Sequence, residues 1–264
     1  MVMMLEIKNA EFSYDKKRNV FEDINFSIQK NDVLCILGPN GSGKTTLLKC
    51  LTNILNLTNG KVLLDNKDIR SLDRKEISKK IAYLPQTHAA LFPFPVLEVA
   101  VMGRGPHLKM TEAPTEADYE IAKANLEMLG ITHLAERPYT KISGGQRQLA
   151  LIAMVLTQEP EILLLDEPTS HLDFGNQVRL LELIEDVATK DIAVVFTSHY
   201  PDHAFHLSCK AALMNNKQFI NVGDCETALT EENLKEIYGV DVKVVYIESA
   251  DSKVCVPMRN NKRK

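Results

Sequence analysis

Two short stretches of this chain place phosphate-binding and metal-binding groups at spacings that do chemistry together. Gly38-Pro39-Asn40-Gly41-Ser42-Gly43-Lys44-Thr45 has the form G-x-x-x-x-G-K-[ST]. In such a loop consecutive backbone N–H groups wrap the α and β phosphates of a nucleotide, Lys44 reaches the β and γ phosphates, and Thr45 ligates magnesium. Further on, Ile162-Leu163-Leu164-Leu165-Asp166-Glu167 is an apolar run that ends in two carboxylates. That is the arrangement with which a nucleoside triphosphatase holds magnesium and polarises water. A glycine-rich structural turn would account for the first stretch alone, but not for the pair.

The elements that must position these groups are legible around them. Val33-Leu34-Cys35-Ile36-Leu37 reads as a buried strand before the loop, and Thr46-Leu47-Leu48-Lys49-Cys50-Leu51 as a helix after it. The positive end of that helix then faces the phosphates. Residues 5–14, 20–28 and 61–64 have strand character, with turn signals at 15–19, 31–32 and 65–66, and suggest an antiparallel layer beside the nucleotide. Residues 81–84 form an expected core strand leading to Gln86. From 87 to 141 the pattern turns helical, with apolar or small residues at 121, 122, 126 and 129 of a helix expected over 116–129. Ser143 is placed to N-cap the next helix, whose dipole then points outward. Strands at 162–165 and 193–196, with a helix at 178–187 between them, repeat the β-α-β rhythm of a parallel sheet. A hairpin is expected around Asn215-Asn216-Lys217, and a small strand pair over 242–247 and 254–258. The fold class is α/β.

In this order, the chain resembles an ABC-type ATPase, the ATP-binding subunit of a membrane transporter, over nearly its whole length. The residues that carry the resemblance are the phosphate loop, Gln86 after Tyr83-Leu84-Pro85, Ile142-Ser143-Gly144-Gly145-Gln146, the paired carboxylates, Ser170-His171-Leu172-Asp173, and His199 after a core strand. Taken singly, Tyr14 is also a strand aromatic, Gln86 a loop amide and His199 a strand cap. Their positions relative to the phosphate motifs set them apart. The resemblance implies a P-loop nucleoside triphosphatase core with a parallel sheet, an antiparallel β layer and an inserted helical subdomain. It implies one domain over 1–264: a nucleotide-binding core at 1–86 and 148–225, a helical subdomain with the signature at 87–147, and a C-terminal extension at 226–264.

The implied site residues follow from the same matches. Tyr14 would stack on adenine, and Gly38, Pro39, Asn40, Gly41, Ser42, Gly43, Lys44, Thr45 and Thr46 would hold the phosphates of ATP. Thr45, Gln86 and Asp166 would arrange Mg2+, directly or through water. Glu167 would act as general base or water-orienting group, with Lys44, Gln86 and His199 as further catalytic groups and His199 stabilising the γ-phosphate. Ser143, Gly144, Gly145 and Gln146, with Asp173 of the D-loop, would complete the ATP site of a second copy bound head to tail. Further partners implied are integral membrane permease subunits and, indirectly, an extracytoplasmic solute-binding protein, which sets the chain on the cytoplasmic face of the membrane. The segment 87–107 would receive a cytoplasmic permease helix, with Arg104 as a surface charge whose reversal spares ATP chemistry.

The stretch Phe92-Pro93-Phe94-Pro95-Val96-Leu97-Glu98-Val99, then Met102-Gly103-Arg104-Gly105-Pro106-His107, resembles importers of iron chelates, haem, cobalamin or molybdate. Thr169 to Gln177 and Ser198-His199-Tyr200-Pro201-Asp202-His203-Ala204 favour the same group. Two departures stand out: Ile142 replaces the usual signature leucine, and Met154 stands where an arginine commonly follows Ile152-Ala153. A non-transport ABC ATPase acting on nucleic acid or ribosomes is the alternative. It would be expected to carry a long coiled-coil insert or a second cassette, and neither is evident. A P-loop kinase or GTPase would not need the Ser143 to Gln146 signature.

Composition agrees with this reading. With 264 residues, 45% apolar and 25% charged, the chain can bury a substantial core. A formal charge of −4 gives no basic footprint for nucleic acid. The longest apolar run, 149–156, is far short of the roughly 18 residues of a membrane span, so any pore must be another chain. The N-terminal Met1-Val2-Met3-Met4-Leu5 lacks the parts of a signal peptide and reads as the start of a strand. Five cysteines without a C-x-x-C pair suggest a reducing compartment. His199, His203, His206 and Cys209 would line up as zinc ligands on one helix, but Pro201 is placed to start that helix, leaving His199 in the loop before it. The basic tail Arg259, Lys262, Arg263 and Lys264 reads as a solvated terminus.

Overall fold

The computed structural model describes residues 4–86, 92–109, 111–170 and 172–259. Two antiparallel strands, β1 (Leu5–Phe12) and β2 (Phe21–Ile28), precede β3 (Val33–Leu37), which delivers the chain through the phosphate loop to helix α1 (Lys44–Leu51). Strands β4 (Asn59–Leu64) and β5 (Lys67–Asp68) return to the first layer. Helix α2 (Arg74–Lys80), started by an Asp73/Glu76 capping box, turns into β6 (Ile81–Leu84). Next come α3 (Val96–Val101), α4 (Glu116–Met128) and α5 (Gly144–Thr157), then β7 (Ile162–Leu165), α6 (Phe174–Ala188), β8 (Ala193–Ser198) and α7 (Pro201–His206). The chain continues through the hairpin β9 (Lys210–Asn215) and β10 (Gln218–Asp224), then α8 (Cys225–Ala228), α9 (Glu231–Tyr238) and the hairpin β11 (Val242–Ile247) and β12 (Ser252–Pro257).

The central sheet runs β10-β9-β3-β8-β7-β6, parallel throughout except at the β10 edge. The second sheet, β2-β1-β4-β5, is antiparallel, as expected for a layer beside the nucleotide. The period-two alternation of the parallel strands divides the core in two. Leu34 and Ile36 of β3, Ile162 and Leu164 of β7, and Ala193 and Val195 of β8 face α1 and the antiparallel layer. Their neighbours Cys35, Leu37, Leu163, Leu165, Val194 and Phe196 face α5, α6 and the remaining helices. Both faces are buried, which is why these strands read as unbroken apolar runs rather than alternating ones. All five core strands therefore end at one edge, where parallel α/β sheets place ligand sites.

Helix α5 is apolar over most of its circumference and packs on α3, α4 and β6. The boundary expected at 147/148 falls within this continuous helix. Gly103 lets the chain cross α5 at close range: a Cβ there would lie 2.0 Å from the Met154 carbonyl oxygen.

One expectation is overturned. Arg104 is not a surface charge but is 8% exposed. Its Nε donates to Asp118 Oδ1 at 2.8 Å, and its Nη1 donates to the Thr157 carbonyl at 3.0 Å and to Glu159 Oε2 at 2.7 Å. The guanidinium thus ties the start of α4 to the carbonyl end of α5, where a cation is favoured. The exposed groups of that segment are apolar instead: Phe92, Phe94 and Met102, with the two phenylalanine rings 5.9 Å apart. Residues 87–91 of the expected docking segment lie outside the described residues.

Candidate nucleotide site

At the end of β3 the backbone turns so tightly that a Cβ on Gly38 would lie 2.3 Å from the Met214 carbonyl oxygen of β9. Gly43 then adopts φ 107°, a left-handed conformation natural to glycine, and starts α1 with no side chain capping it. The first-turn N–H groups of α1 are left for an external acceptor. Lys44 is buried in the same loop, its Nζ donating to the Gly38 and Pro39 carbonyls at 2.7 and 3.1 Å. Burial pushes its ammonium below the ordinary lysine range, opposed by the charges of Glu167 and Asp166. Ser42 Oγ is buried without a hydrogen-bond partner.

Strand β7 brings the two carboxylates to this loop. Asp166 is fully buried. Its Oδ1 accepts from Thr197 Oγ1 at 2.8 Å, while Oδ2 is buried and unpartnered. The same Thr197 oxygen accepts the Glu167 N–H at 2.8 Å, so one hydroxyl on β8 sets the backbone and side chain of both acids. Glu167 sits at φ 49°, a left-handed conformation that costs a residue with a Cβ about 1–2 kcal/mol. Its side chain is held from both sides. Gln86 Nε2 donates to Oε2 at 2.6 Å, and His199 Nε2 meets Oε1.

Between these groups opens a cleft of about 320 Å³, lined by Tyr14, Val20, the loop from Asn40 to Thr46, Gln86 and Glu167. Tyr14 stands at its rim, 67% exposed and edge-on to Phe12, with its hydroxyl 3.3 Å from Thr46 Oγ1. An unpartnered buried carboxylate oxygen, the Thr45 hydroxyl and the Gln86 carbonyl oxygen make a hard-oxygen donor set that suits magnesium. The structure therefore brings Tyr14, the phosphate loop, Gln86 and Glu167 around one cleft, with His199 and Asp166 immediately behind them.

Five predicted residues lie elsewhere: Ser143, Gly144, Gly145, Gln146 and Asp173 do not line this cleft. Ser143 N-caps α5 with a capping box, its Oγ accepting the Gln146 N–H at 3.2 Å and its own N–H donating to Gln146 Oε1 at 3.0 Å. A Cβ built on Gly144 meets nothing within 4 Å. Asp173 N-caps α6, with Oδ1 accepting from the Asn176 N–H at 2.9 Å. His171 lies outside the described residues. Of the zinc alignment, His199 lies between β8 and α7 as the proline suggested, beside Glu167 rather than on the helix.

Sequence reasoning missed Thr197. The available signal was a hydroxyl inside an otherwise apolar strand, at a position where buried side chains need a partner. It also missed Tyr83, whose buried hydroxyl lies against Asp166 and is pushed up by burial and that charge.

The pattern of ABC transporters matches residues 21–170. The chain belongs to the ABC transporter family. It is 37% identical to the molybdate import ATP-binding protein MolC of Haemophilus influenzae, over 89% of this chain and 87% of that one. It is 35% identical to the iron(3+)-hydroxamate import ATP-binding protein FhuC of Bacillus subtilis, over 90% and 89%. A solved metal-chelate type ABC transporter in an inward-facing conformation superposes with a TM-score of 0.85 at 34% identity, covering 98% of each chain. The chain is thus an ABC transporter ATPase with the fold expected from its sequence.

Proposed function

We propose that this ABC ATPase drives uptake of a metal chelate or a related solute (an iron-siderophore, haem, cobalamin or molybdate) through a membrane permease, working as a head-to-tail pair that shares two ATP molecules. The observation that carries the pairing is the open space at the Gly144 end of α5. Among the described residues nothing comes within 4 Å of a Cβ built on Gly144, and a glycine backbone there suits the close approach of a partner's phosphate. The names of the relatives support the solute class. Among the described residues no helix is long and apolar enough to cross a membrane, which fits attachment at the cytoplasmic face through permease subunits. A solute-binding protein would supply the cargo from the other side.

In this reading Lys44 exchanges the Gly38 and Pro39 carbonyls for the β and γ phosphates, and the free N–H groups at the start of α1 take the remaining phosphate oxygens. Thr45, Gln86 and Asp166 would hold magnesium, directly or through water, and the cation would supply positive charge against the phosphates. Glu167 accepts the proton of the attacking water or orients it, and His199, next to it, stabilises the γ-phosphate. Tyr14 offers its ring to adenine from the rim. Positioning and charge neutralisation do most of the work. Closure on ATP and reopening after phosphate release move the helices around α5. Phe92, Phe94 and Met102 are the exposed apolar groups through which a permease helix would feel that motion.

Copurification from membranes tests the assignment. An integral membrane partner should accompany the chain, and its deletion should abolish growth on one of defined iron, cobalamin or molybdate sources. A chain that recovers no membrane partner, with uptake of all of these intact, would overturn it.

A further inference from the structure

The turn that carries His199 is held from behind by a second histidine. Ser198, the last residue of β8, is 2% exposed. Its Oγ accepts the Tyr200 N–H at 3.0 Å, closing the turn over His199. Of the two acceptors within reach of its proton, His203 Nδ1 is the nearer at 2.9 Å and the Tyr200 carbonyl the farther at 3.5 Å. His203 is itself buried, on the first turn of α7, with its ring against that of Tyr200 at 5.3 Å between centroids. Helix α7 is fixed in turn: Asp202 Oδ1 accepts the Cys255 N–H of β12 at 2.7 Å.

We propose that His203 is a positioning residue for ATP hydrolysis: by accepting the Ser198 hydroxyl at Nδ1 it fixes the turn 198–200, and so the point at which His199 meets Glu167. This rests on the reading of His199 as a group that acts on the γ-phosphate. In this arrangement the chain of donors runs Tyr200 N–H to Ser198 Oγ–H to His203 Nδ1, with the ring neutral and its proton on Nε2. Burial keeps the ring neutral by lowering the His203 pKa to about 4. Nothing in the phosphate chemistry requires a histidine four residues after His199, whereas the turn gains a hydrogen-bond acceptor there.

Steady-state hydrolysis of magnesium-ATP by the full chain tests this with four substitutions. His203→Leu fills the space without accepting a hydrogen bond and is expected to lower kcat about five- to ten-fold, the worth of one neutral hydrogen bond, with KM for ATP changed less than about two-fold. Ser198→Ala should do the same, and the double variant should lose no more than either single one. His203→Asn places an amide oxygen near the Nδ1 position and should recover most of the rate. If leucine retains the wild-type kcat, if asparagine is as poor as leucine, or if the two losses multiply, the positioning role is wrong. Should His203→Leu not fold, Ser198→Ala, which removes one oxygen atom, decides by the same kcat and KM split. His199→Ala separates the two readings. A normal kcat there defeats the role of His199 and this inference with it, whereas a loss there with normal Ser198→Ala and His203→Leu variants defeats only this inference.

Discussion

The N-termini of α1 and α5 are the same physical object put to two uses. Each ends a glycine-containing segment, and each presents unpaired backbone N–H groups and the positive end of a helix dipole. Helix α1 has no side-chain cap; its N-cap is a left-handed glycine, and the lysine that begins it is buried against carbonyls it can exchange for phosphate. Helix α5 is capped by its own Ser143 and Gln146 and stands open to solvent beyond Gly144. The first terminus is incomplete without a ligand and sits within a cleft that supplies the rest of the site. The second is stable alone and can add only one side of a site. On the function proposed above, affinity for nucleotide would reside at α1, and α5 would contribute when another subunit brings a nucleotide to it.

The largest effect expected is on turnover with both termini engaged. Glu167→Gln keeps the shape of the side chain but cannot take a proton, so hydrolysis should fall about 10²- to 10⁴-fold while ATP and magnesium still bind. Held unreacted, the nucleotide should then join α1 of one copy to α5 of the other. Size-exclusion chromatography with ATP and magnesium should show a dimer. A monomer only, under those conditions, would break the comparison at its base.

Next in size is a change that disturbs α5 and leaves α1 alone. Arg104 binds the last carbonyl of α5 and pairs with Asp118, both residues being buried. Arg104→Glu should destabilise the fold by about 3–5 kcal/mol, because Asp118 then faces a like charge in a buried site. Thermal unfolding measures this directly. Met102→Glu, on an exposed neighbour, should leave stability nearly unchanged while weakening transport coupling in membranes. Equal stability for the two variants would mean that Arg104 does not strut the helix.

Lys44→Ala probes the other terminus. Loss of a charge-assisted contact is expected to weaken ATP binding by about 1.5–3 kcal/mol, roughly 10- to 100-fold in Kd, with hydrolysis abolished in proportion or worse. Titration of ATP into the isolated subunit gives the number. Wild-type hydrolysis by this variant would remove Lys44 from the site.

The α1 terminus was far more legible in the sequence than what surrounds it. The phosphate loop, the strand before it and the carboxylates after β7 are local patterns, and a buried parallel strand leaves an unbroken apolar run that carries its own signal. Element ends were less exact. Helix α6 was expected to begin at 178 but starts at Phe174, because the Asp173 carboxylate caps it and earns the extra turn. Helices α2 and α9 were not singled out although Asp73 and Thr230 cap them. Arg104 was misplaced for a deeper reason. Its partners lie 14 and 55 residues away, at Asp118 and Glu159. No window along the chain contains that pairing. Thr197 was passed over for the same cause, since it works through Asp166 and Glu167, which only the sheet brings beside it.

The smallest expected effect is also the most discriminating. Ser143→Ala removes the cap of α5 and should cost about 1 kcal/mol of stability, whereas Ser143→Gly should cost only a few tenths. For a domain of this size 1 kcal/mol corresponds to roughly 2–4 °C in Tm. Because Ser143 does not line the cleft of its own subunit, ATP affinity measured at concentrations too low for pairing should match wild type in both variants. In the Glu167→Gln background the ATP-dependent dimer should weaken for alanine, since a hydroxyl that could turn from the Gln146 N–H to a partner's phosphate is gone. If Ser143→Ala instead lowers the affinity of the lone subunit as far as Lys44→Ala does, the two helix ends serve one site within one chain, and the division of labour between them is wrong.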